Sequence, residues 1–323
     1  MGAREISFEE AARIASGIFH EQTGTSPNLP GRRGKSKKSL DLIEAIYAAA
    51  EASQPITGRG VGYKLFVQKL IPSMGEMKRV YRLLKDARED GTIPWPWIVD
   101  ETRGLEIAAT WANPAEFAEQ MAASYRRGFW DQQPVRCEVW SEKGTVRGVL
   151  KPVLDRYGVG FNPVHGFNSA TNVYSTSQSG DGRELVILYV GDYDPSGLCM
   201  SEVDLPKRFE QYGGDHITLK RIALTGEQVL DLPSFPACEK SKDTRFKWFT
   251  RRHGDQCWEL DAMDPNVLRD CVERHIKELI DEEEWERCER VNAAEKANLK
   301  EFLQKWNSLE KFEAFRRDWT EAA

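Results

Sequence analysis

Three carboxylates and one short motif in this chain have types and spacings that suit chemistry on phosphate esters. Glu142 follows the run CEVWS, and Asp192 and Asp194 follow the apolar run LVILYVG. Runs of this kind read as buried strands, and strands of an open parallel sheet present their carboxyl ends to ligand. Carboxylates gathered at such ends repel, so they take up protons or bind a hard cation. Mg²⁺ takes a few carboxylates together with water and phosphate oxygens, and it stabilises the charge that develops when a phosphodiester is attacked. The spacing therefore predicts that Glu142, Asp192 and Asp194 together bind Mg²⁺, with Mn²⁺ as the other candidate. A DxD pair alone is common on surfaces; here the acids end two strands, and a Pro195-Ser196-Gly197 turn leads into a helix. The short motif is Arg59-Gly60-Val61-Gly62-Tyr63. Arg59 and Tyr63 stand four apart and share one face of a helix. A tyrosine hydroxyl is a poor nucleophile at its free pKa of ~10. A guanidinium beside it stabilises either the phenolate or the phosphate in the transition state. The alternative is that Tyr63 is an ordinary core aromatic. Gly60 and Gly62 each weaken the helix by ~1 kcal/mol relative to Ala, and they would let DNA approach the backbone closely.

The elements that must position these groups follow from periodicity. SFEEAARIASGIFHEQ reads as a short amphipathic helix opened by a capping box, Ser7 with Glu10. A Pro- and Gly-rich basic linker, GRRGKSKK, follows, so residues 1–37 form an N-terminal helix and linker. Helices are expected over SLDLIEAIYAAAEAS, over the segment containing Arg59 and Tyr63, and over MGEMKRVYRLLKDAREDG; TIPWPWIVDET supplies a short edge strand. Three helices and a wing suggest a winged-helix-like DNA-binding domain at 38–110, with a plain helical bundle as the alternative. ANPAEFAEQMAASYRRGFW reads as a connecting helix within 111–134. From Val135 strands alternate with helices, which means a parallel sheet covered on both faces, spanning 135–262. WELDA reads as a further strand whose Glu259 and Asp261 would add carboxylates to the metal site or bridge to Arg245. Residues 263–323 read as charged, solvated helices. The fold class is thus α/β.

The chain has 323 residues and a formal net charge of −6. That charge disfavours a protein that coats nucleic acid. Distribution matters more: acids concentrate near the C-terminus, whereas the N-terminal part and the stretch Lys240–Arg252 are rich in Lys and Arg. Lys64, Lys143, Lys242 and Arg245 are the candidate DNA contacts. The six cysteines form no CxxC pair and have no histidine at zinc-ligand spacing, which argues against a zinc site and suits reduced thiols. No apolar run reaches the ~18 residues of a membrane span, and the first residues lack the pattern of a secretory signal. A cytoplasmic protein is expected, associated with the nucleoid or carried by a phage or plasmid.

Glu142-Lys143-Gly144 after one strand, then Asp192-Tyr193-Asp194-Pro195-Ser196-Gly197 after another, resembles the Toprim domain. The DxDPxG form is most similar to the A subunit of DNA topoisomerase VI and its meiotic double-strand-break relatives. In that family a glutamate and two aspartates hold Mg²⁺, which implies that role for Glu142, Asp192 and Asp194. The family also carries a catalytic tyrosine in a winged helix that precedes the Toprim domain, in a motif R-x-[IV]-[YF]-Y. Arg59, Val61 and Tyr63 match it, and Gly62 departs from it. The resemblance covers most of residues 38–224. It implies a homodimer that breaks duplex DNA through a 5′-phosphotyrosyl link, with the tyrosine of one chain meeting the metal site of the other. No P-loop is present, so strand passage would require a separate ATPase subunit. Two other readings remain: a metal-dependent Toprim nuclease in which water attacks, and a non-catalytic DNA-binding component of a phage, plasmid or defence complex.

Overall fold

The computed structural model describes residues 36–99, 110–164 and 170–307. The expected helix and most of the linker over residues 1–37 lie outside the described residues. From Leu42 onward the chain forms one unit.

Helix α1 (Lys37–Glu51) buries Leu42, Ile43 and Ile46, and then Ala49 and Ala50, at helical spacing. Strand β1 (Ile56–Thr57) leads directly into α2 (Gly58–Val67), whose N-cap is Thr57: its side chain accepts from Gly60 N at 2.9 Å. A 3₁₀ turn at Met74–Glu76 opens α3 (Met77–Glu89), which buries Val80, Leu83, Leu84 and Ala87 and exposes its opposite, basic face. Gly91, at φ 81°, takes the chain out of it. Of the strand expected in TIPWPWIVDET, β2 (Ile98–Val99) lies among the described residues, and it runs parallel to β1. Trp95–Trp97 forms a 3₁₀ turn instead, because Pro94 and Pro96 carry no N–H for a ladder. These elements share an apolar core centred on Ile46, Ile56, Leu65, Val80 and Ile93.

Helix α4 (Pro114–Ser124) is capped by Asn113, whose side chain accepts from Glu116 N at 2.9 Å. It ends before the expected Trp130. Tyr125 turns extended, and its hydroxyl and the Arg127 guanidinium both reach Glu295, at 2.7 and 2.5 Å.

The sheet is built from β3 (Val135–Ser141), β4 (Gly160–Pro163), β5 (Glu184–Val190) and β6 (Ile217–Ala223). Its order is β4-β3-β5-β6, all parallel. Helices α5 (Val146–Tyr157) and α6 (Ala170–Gln178) make the first two crossovers. The third consists of α7 (Pro195–Cys199) and α8 (Leu205–Gln211), joined by a π turn at Met200–Asp204. Alternation along β5 sends Val186, Leu188 and Val190 to a core shared with α5, and Leu185, Ile187 and Tyr189 to a second core with Met200, Leu205 and Phe209. Burial on both faces is why β5 reads as one continuous apolar run.

Beyond the sheet, β7 (Phe235–Pro236) and β8 (Gln256–Cys257) pair antiparallel around α9 (Phe246–His253). WELDA is not a strand. Trp258 makes a single bridge to Tyr193, and Leu260–Ala262 is a 3₁₀ turn that directs Glu259 and Asp261 toward α2. Helix α10 (Pro265–Lys277) packs on the α5 face. Helix α11 (Glu282–Asn307) is largely exposed and anchored by Trp285 against Phe129 at 4.7 Å and Tyr157 at 5.9 Å. No described helix is long and apolar enough to cross a membrane.

Candidate carboxylate site and the tyrosine beside it

Glu142 follows β3, while Asp192 and Asp194 follow β5, and β3 and β5 are neighbours in register from Val135↔Glu184 to Ser141↔Val190. The register carries the three acids to one edge of the sheet. Tyr193, between the aspartates, packs against Phe249, His253 and Trp258. Alternation therefore leaves Asp192 and Asp194 facing the other way, toward Glu142. Burial, reinforced by Asp194 and then Asp192, holds the Glu142 carboxyl above the usual glutamate range. The sequence-predicted trio thus sits close enough for the two aspartates to oppose the ionisation of Glu142.

The loop is held by backbone as much as by side chains. Asp194 is buried and caps α7: Oδ1 accepts from Gly197 N at 2.7 Å, and Oδ2 pairs with Lys240 at 3.1 Å. Asp192 Oδ1 accepts from Leu260 N at 2.7 Å and from the Lys143 ammonium at 2.9 Å. Ser196 Oγ donates to Glu142 at 3.5 Å. Gly197 is required here because a Cβ would lie 2.3 Å from the Asp192 carbonyl oxygen. Arg221, on β6, was not foreseen. Its guanidinium donates to the carbonyls of Gly191, Gly197 and Leu224 at 2.8–2.9 Å, to that of Asp192, and to Ser201 Oγ at 2.7 Å. An arginine in a strand paired to a wholly apolar one was the available signal.

Two cations of the site have opposing influences on their own charge. Burial disfavours the Lys143 ammonium, but Asp192 and Asp261 outweigh it and raise its pKa above the ordinary lysine value. The same balance, with Asp194 as main partner, raises Lys240. Among the described residues no three His, Cys, Asp or Glu side chains stand as a ready metal cage. The donor set nevertheless fits Mg²⁺, which needs only one or two carboxylates and keeps water for its other positions. Binding there competes with Lys143 and Lys240 for the aspartates.

Tyr63 lies on α2 with 5% exposure, between the core residues Val61 and Leu65 in the chain. The Arg59 guanidinium stands 6.0 Å from its ring centre, so the four-residue spacing does put the two on one face. Arg59 is ion-paired with Glu259. Burial, followed by the charge of Glu259, pushes the Tyr63 phenol up to about 12, against the opposite pull of Arg59. The glycines of the motif are closed to a ligand. A Cβ on Gly62 would meet Met77 Sδ at 2.1 Å, and one on Gly60 would meet Ile56 at 3.0 Å. Close approach of DNA to this backbone is thus ruled out in this conformation, and an aromatic at position 62 would have to displace Met77.

Glu259 and Asp261 do not bridge to Arg245, which pairs with Asp243 at 2.6 Å. Asp261 instead accepts from Thr57 Oγ1 at 2.7 Å and pairs with Lys143 at 3.0 Å. Of the proposed DNA contacts, Lys64 is turned to Asp264 at 2.6 Å, Lys143 is held between Asp192 and Asp261, and Lys242 is exposed. Phe249 in the cationic stretch is fully buried, whereas Lys247, Arg251 and Arg252 face solvent.

Comparison with known proteins gave no matching family model, no similar curated protein and no similar solved structure.

Proposed function

We propose that this protein cleaves DNA by magnesium-dependent tyrosine transesterification, in the manner of a topoisomerase VI A subunit, with a winged-helix-like N-terminal domain and a Toprim-like sheet. The observation that carries this reading is a chain of contacts within one molecule. Tyr63 lies beside Arg59, Arg59 pairs with Glu259, and the next residue, Leu260, donates its N–H to Asp192. The nucleophile candidate and the carboxylates are thereby parts of one polar system within a single chain, where the resemblance implies that the tyrosine meets the metal site of the partner subunit. Mg²⁺ would be held by Glu142, Asp192 and Asp194 and would supply charge stabilisation at the scissile phosphate. Lys143 and Lys240 fix the aspartates, and Arg221 fixes their backbone. Arg59 is placed to stabilise the phenolate once the phenol gives up its proton. A homodimer suits paired breaks on antiparallel strands, and any strand passage would need a partner ATPase.

One observation favours a second reading, a metal-dependent nuclease that uses water. Tyr63 is almost wholly buried and its phenol is held strongly protonated. The deciding experiment is incubation with supercoiled DNA and Mg²⁺, followed by denaturing electrophoresis. Protein covalently attached to 5′ ends supports transesterification. Cleavage with free ends assigns the attack to water, and intact DNA under all metal conditions sinks both.

A further inference from the structure

An open cleft of about 680 Å³ is lined by residues of the helical layer together with Lys143 and Thr145, which follow β3, and Asp261. Its lining includes Arg59, Tyr81, Lys85, Arg88, Trp95 and Lys143. Lys143, in that lining, pairs with Asp192 and so joins the cleft to the carboxylate site. Trp95 is 56% exposed and Tyr81 is 41% exposed. Exposure of Trp95 is not the default for this segment. Two residues on, Trp97 packs against Tyr47 with ring centres 5.3 Å apart. Trp95 is held outward by its 3₁₀ turn between Pro94 and Pro96, and the Arg88 guanidinium lies 4.3 Å from its ring centre. A ring fixed in this way loses little freedom when a second flat group stacks on it. Helix α3 adds a cationic edge. Lys78, Arg82 and Lys85 are exposed at spacings of four and three, on the same face as Tyr81. A rigid exposed indole backed by arginine, a second aromatic and a row of cations are the parts with which single-stranded nucleic acid is held: bases stack on rings, and phosphates follow the cations.

We propose that this cleft binds an unpaired segment of DNA, with a base stacked on Trp95 and its strand leading past Tyr81 to Lys143 and the carboxylates. The proposal rests on the reading of DNA as substrate and adds that the strand is unpaired where it enters. A paired base has both faces occupied by its neighbours, so it cannot use the Trp95 platform. The preference therefore belongs to melted, flipped or overhanging nucleotides.

The test measures binding in EDTA, so that it does not depend on cleavage. The probes are a fluorescein-labelled oligo(dT) of about 15 nucleotides, near the upper site size of single-strand grooves, and a duplex of the same length, both read by anisotropy. Trp95→Ala is expected to weaken oligo(dT) binding about 10-fold or more. Duplex affinity should stay within about 2-fold, and Trp95→Phe, which keeps a ring, should recover most of the loss. Circular dichroism checks the fold, and Trp95→Phe still tests the idea if the alanine variant is unstable. Unchanged oligo(dT) affinity in Trp95→Ala overturns the proposal, as does an equal loss on oligo(dT) and duplex. If the wild-type protein binds neither probe, the DNA reading itself falls. If it binds both and Trp95→Ala changes neither, only this inference does.

Discussion

Two sets of three carboxylates lie close together in this chain and serve opposite ends. Glu259, Asp261 and Asp264 each meet a partner from the helical layer: Arg59, Thr57 and Lys64 respectively. They seal α2 against the sheet; Arg59 and Lys64 neutralise Glu259 and Asp264, and Asp261 shares Lys143 with Asp192. Arg269 reinforces the same seam, donating to the carbonyls of Ser53, Gln54 and Pro55 on one side and of Val149 on the other. In the other set, Asp192 and Asp194 have ammonium partners, but Glu142 takes only a 3.5 Å hydrogen bond among the described residues. A carboxylate placed beside two others without a cation of its own costs stability. The seam spends its acids on holding the molecule together, and the sheet edge leaves Glu142 without a cation partner among the described residues.

The comparison breaks most visibly if the two sets respond alike to loss of charge. Asp192→Asn is expected to reduce DNA cleavage about 100-fold or more, since the amide keeps an acceptor for Leu260 N but offers a hard cation no negative charge. Asp264→Asn should leave cleavage within about 3-fold and lower stability by about 1–2 kcal/mol, by weakening a part-buried charge-assisted contact. Supercoiled-DNA cleavage and urea unfolding measure the two. Equal losses of cleavage in both variants would end the division of labour. Tyr63→Phe sharpens it: covalent protein–DNA product should vanish, with stability changed by no more than about 1 kcal/mol. Unabated formation of that product in Tyr63→Phe would remove Tyr63 from the mechanism.

Stability contrasts come next in size. Arg221→Leu leaves the carbonyls of Gly191, Asp192, Gly197 and Leu224 without their shared donor. Gly191 keeps Leu224 N and Gly197 keeps Ser201 Oγ as donors, so the loss falls on Asp192 and Leu224; unpaired buried acceptors cost about 1–3 kcal/mol each before relaxation, and a net loss of about 3 kcal/mol is expected in urea unfolding. A change under about 1 kcal/mol would show that water replaces the guanidinium and that the loop is not held as described.

The acids at the sheet edge were legible because three local signals agreed: apolar runs long enough for buried strands, acids at their ends, and a Pro-Ser-Gly turn into a helix. The α/β alternation from Val135 was legible for the same reason. Glu259 and Asp261 were misplaced because WELDA has the alternation of a strand, whereas its backbone is spent on one bridge to Tyr193 and a 3₁₀ turn. The partners of Lys64, Arg221 and Arg269 are all set by tertiary contacts. Lys64 and Asp264 stand 200 residues apart, a distance that no local pattern spans. Helix α4 stopped short of its apparent pattern for a similar reason, since Glu295 on a distant helix takes Tyr125 and Arg127.

The smallest expected effect tests whether Glu142 is held ready for a ligand. Its carboxyl lies above the ordinary glutamate range because of burial and the neighbouring aspartates. The folded protein therefore favours its protonated form. The stability this gives is complete below the pKa of an unfolded glutamate and is lost as pH rises through the raised folded value. Glu142→Gln mimics the protonated form at every pH. In EDTA the variant and wild type should melt together at acid pH. Their Tm values should then separate as pH rises through that window, with the variant about 1–3 °C higher at neutral pH. Adding Mg²⁺ at neutral pH should raise the wild-type Tm and close the gap, because a cation that binds the folded state supplies the charge Glu142 lacks. The variant should respond less. A Glu142→Gln protein that melts below wild type at neutral pH in EDTA would show that the charge on Glu142 is already satisfied within the chain, and the sheet edge would then be a second seam.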